Sequence, residues 1–236
     1  MIGVDRDHGS GRDRVLDAFR LEAEQLSHAV TGLSGPDWDR VTRCDPWRVR
    51  DLLAHLRIVI GWLPGMLAAP APARAEVSAV QYYRPDHRYT PAANATRIGL
   101  AQDHAAALAD GDRQAADFTA TWQQVHHLCR AEPDERVVAT RHGDAMLLSQ
   151  FLLTRVVEVA VHGLDLADAL HREPWLTPHA ADVVEELLLG PHHAHAVQHL
   201  GWDQPTFLRK ATGRQPLTAT DLERVNRLGI HWLTLG

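Results

Sequence analysis

The stretch FLLTRVVEVAVHGLD, Phe151 to Asp165, decides how this chain folds. It lies inside the most apolar segment of the sequence, Leu147 to Leu170. That length and character predict a helix buried in a core. Four polar residues interrupt it, Arg155, Glu158, His162 and Asp165. They recur every three or four residues, so on a helix they share one side. Such a stripe has two readings. It is the solvated face of an amphipathic helix, or it is a set of side chains turned toward a common ligand. Glu158 and His162, four residues apart, are placed to hold a single ion between them.

Upstream, Arg136–Arg141 and Asp144–Leu148 read as two short strands around His142-Gly143, a hairpin. Thr90-Pro91 opens a long Ala-rich helical region that breaks at Gly111-Asp112 and runs on through Trp122 and Leu128. Before it, Asp45 is a candidate N-cap with Pro46 as first helical residue, where a missing N–H loses no hydrogen bond. Leu52, Leu53, Leu56, Val59, Ile60 and Leu63 supply the apolar face of that helix. Pro64-Gly65 weakens it near its end, and Ala68–Arg74 reads as a loop. Val15, Phe19, Leu26 and Val30 place a further helix between Arg12 and Val30, followed by a turn-rich connector from Gly32 to Arg43. Residues 1–11 read as a frayed tail. Downstream, Thr177-Pro178 starts another helix, His192 to His199 is histidine-rich, and Gly201 to Gly236 mixes helix and turn signals. Four major helices predict an antiparallel bundle over residues 12–172, with a small α/β C-terminal domain over 173–236.

His55 shares a helix side with Leu52, Val59 and Trp62, an inward-looking face. A lone core histidine is ordinarily a hydrogen-bonded structural residue. Two imidazoles and a carboxylate, however, are a set that binds zinc or a similar divalent ion. If antiparallel helices bring His55 beside Glu158 and His162, three protein ligands are in place and the remaining positions stay open for water or substrate. The chain has 16 histidines, so others compete. His192, His195 and His199 have helical spacing, and His126 or His127 could act with a distant partner. On exposed, Ala-interleaved segments such clusters read first as surface residues.

Composition narrows the function classes. The chain has 236 residues, 45% hydrophobic and 23% charged, as in an ordinary globular protein. A net charge of −6 gives no reason to expect nucleic acid or an anionic membrane as partner. The two cysteines, Cys44 and Cys129, match no zinc motif and read as intracellular thiols. Met1 to Asp13 has no apolar signal region, and no run reaches the length of a membrane span, so a cytoplasmic protein is expected. There is no Gly-rich phosphate loop, no nucleophile elbow and no Cys-x-x-Cys, so phosphoryl transfer and serine hydrolysis have no support. Of the 24 basic residues only Lys210 is lysine, which with abundant alanine matches the coding bias of a GC-rich, actinobacterial genome.

Two motifs carry a resemblance. WRVRDLLAHL, Trp47 to Leu56, resembles the second-helix motif of the mycothiol-dependent maleylpyruvate isomerase family, within the DinB-like superfamily. TRVVEVAVHGLDLAD, Thr154 to Asp168, resembles its fourth-helix motif. The likeness runs in order and spacing from Val15 to Leu170 and is weaker beyond. It implies a DinB-like antiparallel four-helix bundle whose two motif helices supply three ligands to a divalent metal, usually described as zinc. Carried over, the ligands are His55, Glu158 and His162. FLRKATGR, Phe207 to Arg214, resembles a C-terminal stretch in which an arginine helps bind or orient substrate. Arg214 is therefore the catalytic candidate, with a solvated surface arginine as the competing reading. Where relatives often read Cys-Pro-Gly-Trp, this chain has Cys44-Asp45-Pro46-Trp47, which alters the turn and leaves the ligands in place.

The implied chemistry uses a small thiol, mycothiol, as cosubstrate. Coordination to a divalent cation favours the thiolate, which attacks a small electrophile. Arg155 and Asp165 are candidate partners that fix the orientation of a ligand. An adduct that rotates and expels the thiol gives cis–trans isomerisation; one that persists gives S-transfer. S-transferase is the preferred expectation, since the isomerase is one narrow activity in a wide family. A non-catalytic metal or small-molecule binding module and a metal-dependent hydrolase are the other classes.

Overall fold

The computed structural model describes residues 11–84, 90–108 and 110–228, so most of the expected N-terminal tail and the last eight residues lie outside the described chain. The elements are α1 (Gly11–Val30), α2 (Gly35–Trp38), α3 (Val49–Gly61), α4 (Leu63–Ala68), α5 (Ala79–Tyr82), α6 (Pro91–Leu108), α7 (Gly111–Ala131), β1 (Val137–Ala139), β2 (Ala145–Leu147), α8 (Leu148–Leu170), α9 (Pro178–Leu189), α10 (His193–Leu200), α11 (Gln204–Ala211) and α12 (Ala219–Leu228).

The apolar segment around Phe151 is α8, and protein surrounds it. Only Ser149, Gln150, Glu158, Asp168 and Ala169 escape full burial. Its polar stripe is therefore not a solvated face: Arg155 is 1% exposed and Asp165 is 0%. Helix α8 packs on α1 and α3, and both of these pack on α7, which closes the expected antiparallel four-helix bundle. Helix α6 covers α3, and α9 lies against α1 and α8. One apolar cluster runs through the bundle and on into Val184, Leu188, Leu200, Phe207 and Val225 of the C-terminal helices.

Local chemistry explains the ends of α8. It has no polar N-cap; instead the hairpin supplies an acceptor, with Leu148 N–H donating to Arg136 C=O at 2.8 Å. The hairpin is the one read from the sequence, antiparallel with Val138 opposite Met146. At the other end His171 takes a left-handed conformation, φ 54°, and Arg172 N–H returns to Ala167 C=O at 2.9 Å. The helix read from Thr177-Pro178 also forms, with the Thr177 side chain accepting from Ala180 N–H.

Three expectations are revised. Helix α3 begins at Val49, not at Pro46. The cis Asp45–Pro46 peptide lies in a turn, closed by Trp47 N–H donating to Cys44 C=O at 2.8 Å. Asp51 then accepts from Arg48 N–H at 2.9 Å and caps the helix from inside. The C-terminal part, expected as α/β, is helical wherever it has regular structure among the described residues, with capping side chains at Thr177 and Asp203 and prolines in the first turns of α9 and α11. Finally, Val49–Ala68 is long and apolar enough to cross a membrane by length and composition. Here that stretch is divided between α3 and α4, and its Leu52, Leu56, Ile60 and Leu63 belong to the bundle core.

Two packing details have measurable consequences. The break between α6 and α7 falls at Gly111, where a Cβ would sit 2.0 Å from Trp38 Nε1, and the Trp38 indole is itself buried in the core. Glu22 of α1 is buried and accepts from Thr177 N–H at 2.8 Å and Thr177 Oγ1 at 2.6 Å, which ties α1 to the start of α9. Burial pushes the Glu22 carboxyl up to about 7, outweighing those hydrogen bonds.

Gly111→Ala is expected to lower stability by about 2 kcal/mol through displacement of Trp38, against the gain of about 1 kcal/mol that the change brings inside an unobstructed helix; urea unfolding checks this. For Glu22, a folded-state value raised from 4.5 to about 7 means the native protein binds the proton more tightly. Its contribution is complete below pH 4.5 and is lost as pH rises through about 7. Glu22→Gln is expected to flatten the decline of Tm across that window and to be the more stable form at pH 8, by up to about 3 kcal/mol.

Candidate metal centre

His55 projects from the middle of α3 toward α8, where Glu158 and His162 lie one turn apart. His55 Nε2 is 3.3 Å from Glu158 Oε2, and His162 Nε2 is 3.5 Å from the same oxygen. The three donor atoms lie within 4.8 Å of one another. The two imidazoles meet edge to face with centroids 5.4 Å apart. Trp47 stacks on the His55 ring, at 4.7 Å and 29°. Both histidines are buried, and the Glu158 side chain is 16% exposed.

The electrostatics of the three differ. Burial lowers the proton affinity of His55 below the ordinary histidine value despite the nearby Glu158, which favours neutral imidazole. Burial also opposes ionisation of Glu158, but hydrogen bonds from His162 and His55 and the charge of Arg155 outweigh it and hold this carboxyl well below its usual range. His162 goes the other way. Burial works against its charge, yet Asp165, Cys44 and Glu158 raise its proton affinity well above the ordinary value. A cation binding at Nε2 of His162 would therefore displace a proton.

Asp165, one turn beyond His162, is the hub of the surrounding network. Its Oδ2 lies 2.9 Å from His162 Nδ1, which points Nε2 toward Glu158. Arg214 grips the same carboxylate at two points, Nε to Oδ1 at 3.0 Å and Nη2 to Oδ2 at 2.9 Å. The Cys44 thiol donates to Oδ2 at 3.3 Å, and Arg43 Nε stands 3.8 Å from Oδ1. Burial would raise the Asp165 carboxyl, but His162 and Arg214 hold it far below the usual range.

Arg155 serves Glu158 from the opposite side, with Nη2 3.9 Å from Oε1. Its guanidinium lies 4.7 Å above the Phe151 ring and donates to Thr154 Oγ1 and to Val59 C=O. On the Cys44–Trp47 side a cavity of ≈ 250 Å³ opens, lined among others by Arg43, Cys44, Trp47, Arg97, Ile98 and Arg214.

The six site residues read from the sequence thus fall in one connected cluster. No other histidine among the described residues joins these donor groups. His193 pairs with Asp182 at 2.9 Å, and the rings of His195 and His199 lie 4.2 Å apart, tilted by 47°. Among the described residues only one further group has donors close enough to share a cation, Cys44, His162 and Asp165. Arg214 occupies both oxygens of Asp165 there, and a second cation beside that guanidinium is disfavoured. His55, Glu158 and His162 are the set that fits a divalent ion: two imidazoles and one carboxylate converging without an intervening cation. Cys44 and Trp47 are site residues that sequence reasoning left out; the signal available was their place in the Cys44–Trp47 motif. Cys129, the other cysteine, is buried, with its thiol pushed up to about 12 by desolvation.

Arg155→Ala is expected to lower the stability of the metal-free protein by about 3 kcal/mol, because the Glu158 charge loses a compensating partner in a buried setting. Urea unfolding measures this, and Arg155→Lys should recover part of the loss.

Residues 19–167 match the family described as mycothiol maleylpyruvate isomerase N-terminal domain. The fold resembles the crystal structure of a mycothiol-dependent maleylpyruvate isomerase, with a TM-score of 0.51 and 14% sequence identity over 75% of this chain and 69% of that one. A histidine-to-alanine mutant of such an isomerase gives a TM-score of 0.53 at the same identity and coverage. No curated protein matches by sequence search. With the match spanning well over half of its length, the chain belongs to the family of the mycothiol maleylpyruvate isomerase N-terminal domain.

Proposed function

We propose that this protein is an enzyme that uses a small thiol, mycothiol, to attack a small electrophile at a divalent metal centre formed by His55, Glu158 and His162. The observation that carries the reading is the convergence of these three donors from two helices beside a cavity. Family membership supports the choice of thiol.

A divalent ion held there would supply charge that stabilises a bound thiol as thiolate, with zinc the ion first in line for this donor set. The protein's own residues do the rest. Asp165 receives the Nδ1 proton of His162 and so fixes which ring nitrogen faces the ion. Trp47 covers one face of His55 and keeps water from it. Arg43 and Arg97 line the cavity, and their positive charge suits an anionic group on the thiol or the electrophile. Cys44 is engaged as a donor to Asp165, so the attacking sulfur in this reading comes from the cosubstrate.

The fate of the adduct defines the reaction. Release of the thiol after rotation about the former double bond is isomerisation, the activity named for the solved relatives; retention is S-transfer, the outcome carried by the wider superfamily. Incubation with mycothiol and maleylpyruvate separates them. Appearance of the trans isomer with the thiol unconsumed marks an isomerase, and loss of thiol into a stable thioether marks a transferase. Turnover without any thiol would point instead to a hydrolase.

Elemental analysis is expected to find near-stoichiometric divalent metal in the wild type and little in His55→Ala or Glu158→Ala, with thiol-dependent turnover lost in both and the helical content kept. Wild-type protein that stays metal-free after incubation with zinc, manganese or nickel would leave a helical binding module as the reading.

A further inference from the structure

Arg214 is the one cluster residue that comes from the C-terminal segment, and the structure gives it a specific occupation. Its three nitrogens are all engaged by protein: Nε and Nη2 hold Asp165, and Nη1 donates to Thr212 C=O at 3.0 Å. The Arg214 side chain is 10% exposed and Asp165 is fully buried. The edge of the guanidinium that holds Asp165 is thus taken by a bidentate partner already in place.

The turn that delivers Arg214 is itself clamped. Gly213, at φ 73°, reverses the chain after α11, and Gln215 N–H returns to Arg209 C=O at 3.0 Å. Arg209 Nη2 pairs with Asp168 Oδ1 on α8 at 2.6 Å. Lys210, under Trp202 at 4.4 Å, forms a buried pair with Asp221 at 2.6 Å and fastens α11 to α12.

That carboxylate has a single imidazole in its grasp. A bidentate arginine fixes the plane of its partner as well as its position, and here the fixed plane points Oδ2 at His162 Nδ1. We propose that Arg214 is a positioning residue that acts through Asp165 on His162, so that its two-point grip on this carboxylate sets how tightly the α3–α8 donor set holds a divalent cation. This rests on the metal-centre reading above and assigns Arg214 a task different from direct substrate binding. Partners that orient a metal-bound histidine typically govern affinity by about 10- to 100-fold.

The test is a zinc titration of the metal-stripped full chain against a competing chromophoric chelator. Arg214→Gln is expected to weaken zinc binding by about 10-fold, and Arg214→Lys, which can make a single-point contact, by less. Asp165→Asn should weaken it at least as much, and the double variant should bind no worse than Asp165→Asn alone, since both changes break one chain of contacts. Arg209→Gln, which cuts the neighbouring tie to Asp168 and spares Asp165, should keep wild-type affinity. Circular dichroism on each variant establishes that it is folded. Unchanged zinc affinity in Arg214→Gln with a raised KM for the electrophile would overturn the inference and make Arg214 a substrate contact. Equal weakening in Arg209→Gln would also overturn it, assigning the effect to general loosening of α11. Wild-type protein that binds no zinc, manganese or nickel would remove the metal-centre reading, and this inference with it.

Discussion

Helix α8 is enclosed by protein along most of its length, yet it carries Arg155, Glu158, His162 and Asp165 on one side. Burying a charge without a partner costs several kcal/mol, so every one of these groups must be met by something from another part of the chain. Val59 C=O and His55 come from α3, Cys44 from the turn before it, and Arg214 from the turn after α11. Apolar area drives these segments inward without choosing among registers. The polar stripe chooses, because a slide of α3 by one turn would take His55 away from Glu158 and leave both without their partner.

The same requirement prepares the site for chemistry. A donor set made only of apolar packing and one histidine would hold no ion, and a set of exposed carboxylates would hold many ions loosely. Here the donors are few and of two kinds, and they stand against fixed neighbours. Burial lowers the proton affinity of His55, while Asp165 raises that of His162. The two imidazoles of one site are thus pushed in opposite directions. Their difference comes from burial, which prevails at His55, and from Asp165, Cys44 and Glu158, which outweigh it at His162.

Much of this was legible in the sequence, and the reasons differ by element. Helix α8 announced itself by sheer apolar length, the α6–α7 break by Gly111, and α9 by a threonine cap before proline. The stripe on α8 gave its spacing but not its surroundings, since an inward and an outward stripe have the same period. Pro46 pointed to a helix start because an Asp-Pro pair serves a cap and a turn equally well; only the contact of Trp47 with Cys44 distinguishes them. In the C-terminal part, α10 and α11 have eight residues each, too few turns for apolar periodicity to stand out from mixed signals. The grip of Arg214 on Asp165 spans 49 residues and that of Cys44 spans 121. Pairings at such separations leave no local trace, so the contacts of Arg214 and Cys44 with Asp165 were beyond reach of spacing arguments, whereas Asp165 itself, three residues past His162, was within it.

His55 and Glu158 are 103 residues apart in sequence and meet only where α3 touches α8. Any opening that parts these helices, however brief, splits the donor set and leaves two donors on α8. A cation held by all three would bind the closed bundle far better than the opened one, and at a hundredfold excess over its dissociation constant would favour closure by about 2.7 kcal/mol. Amide exchange along the inner face of α3 therefore reads occupancy of the site from a distance, and the breathing of this one seam joins the lifetime of the fold to the residence time of its ligand.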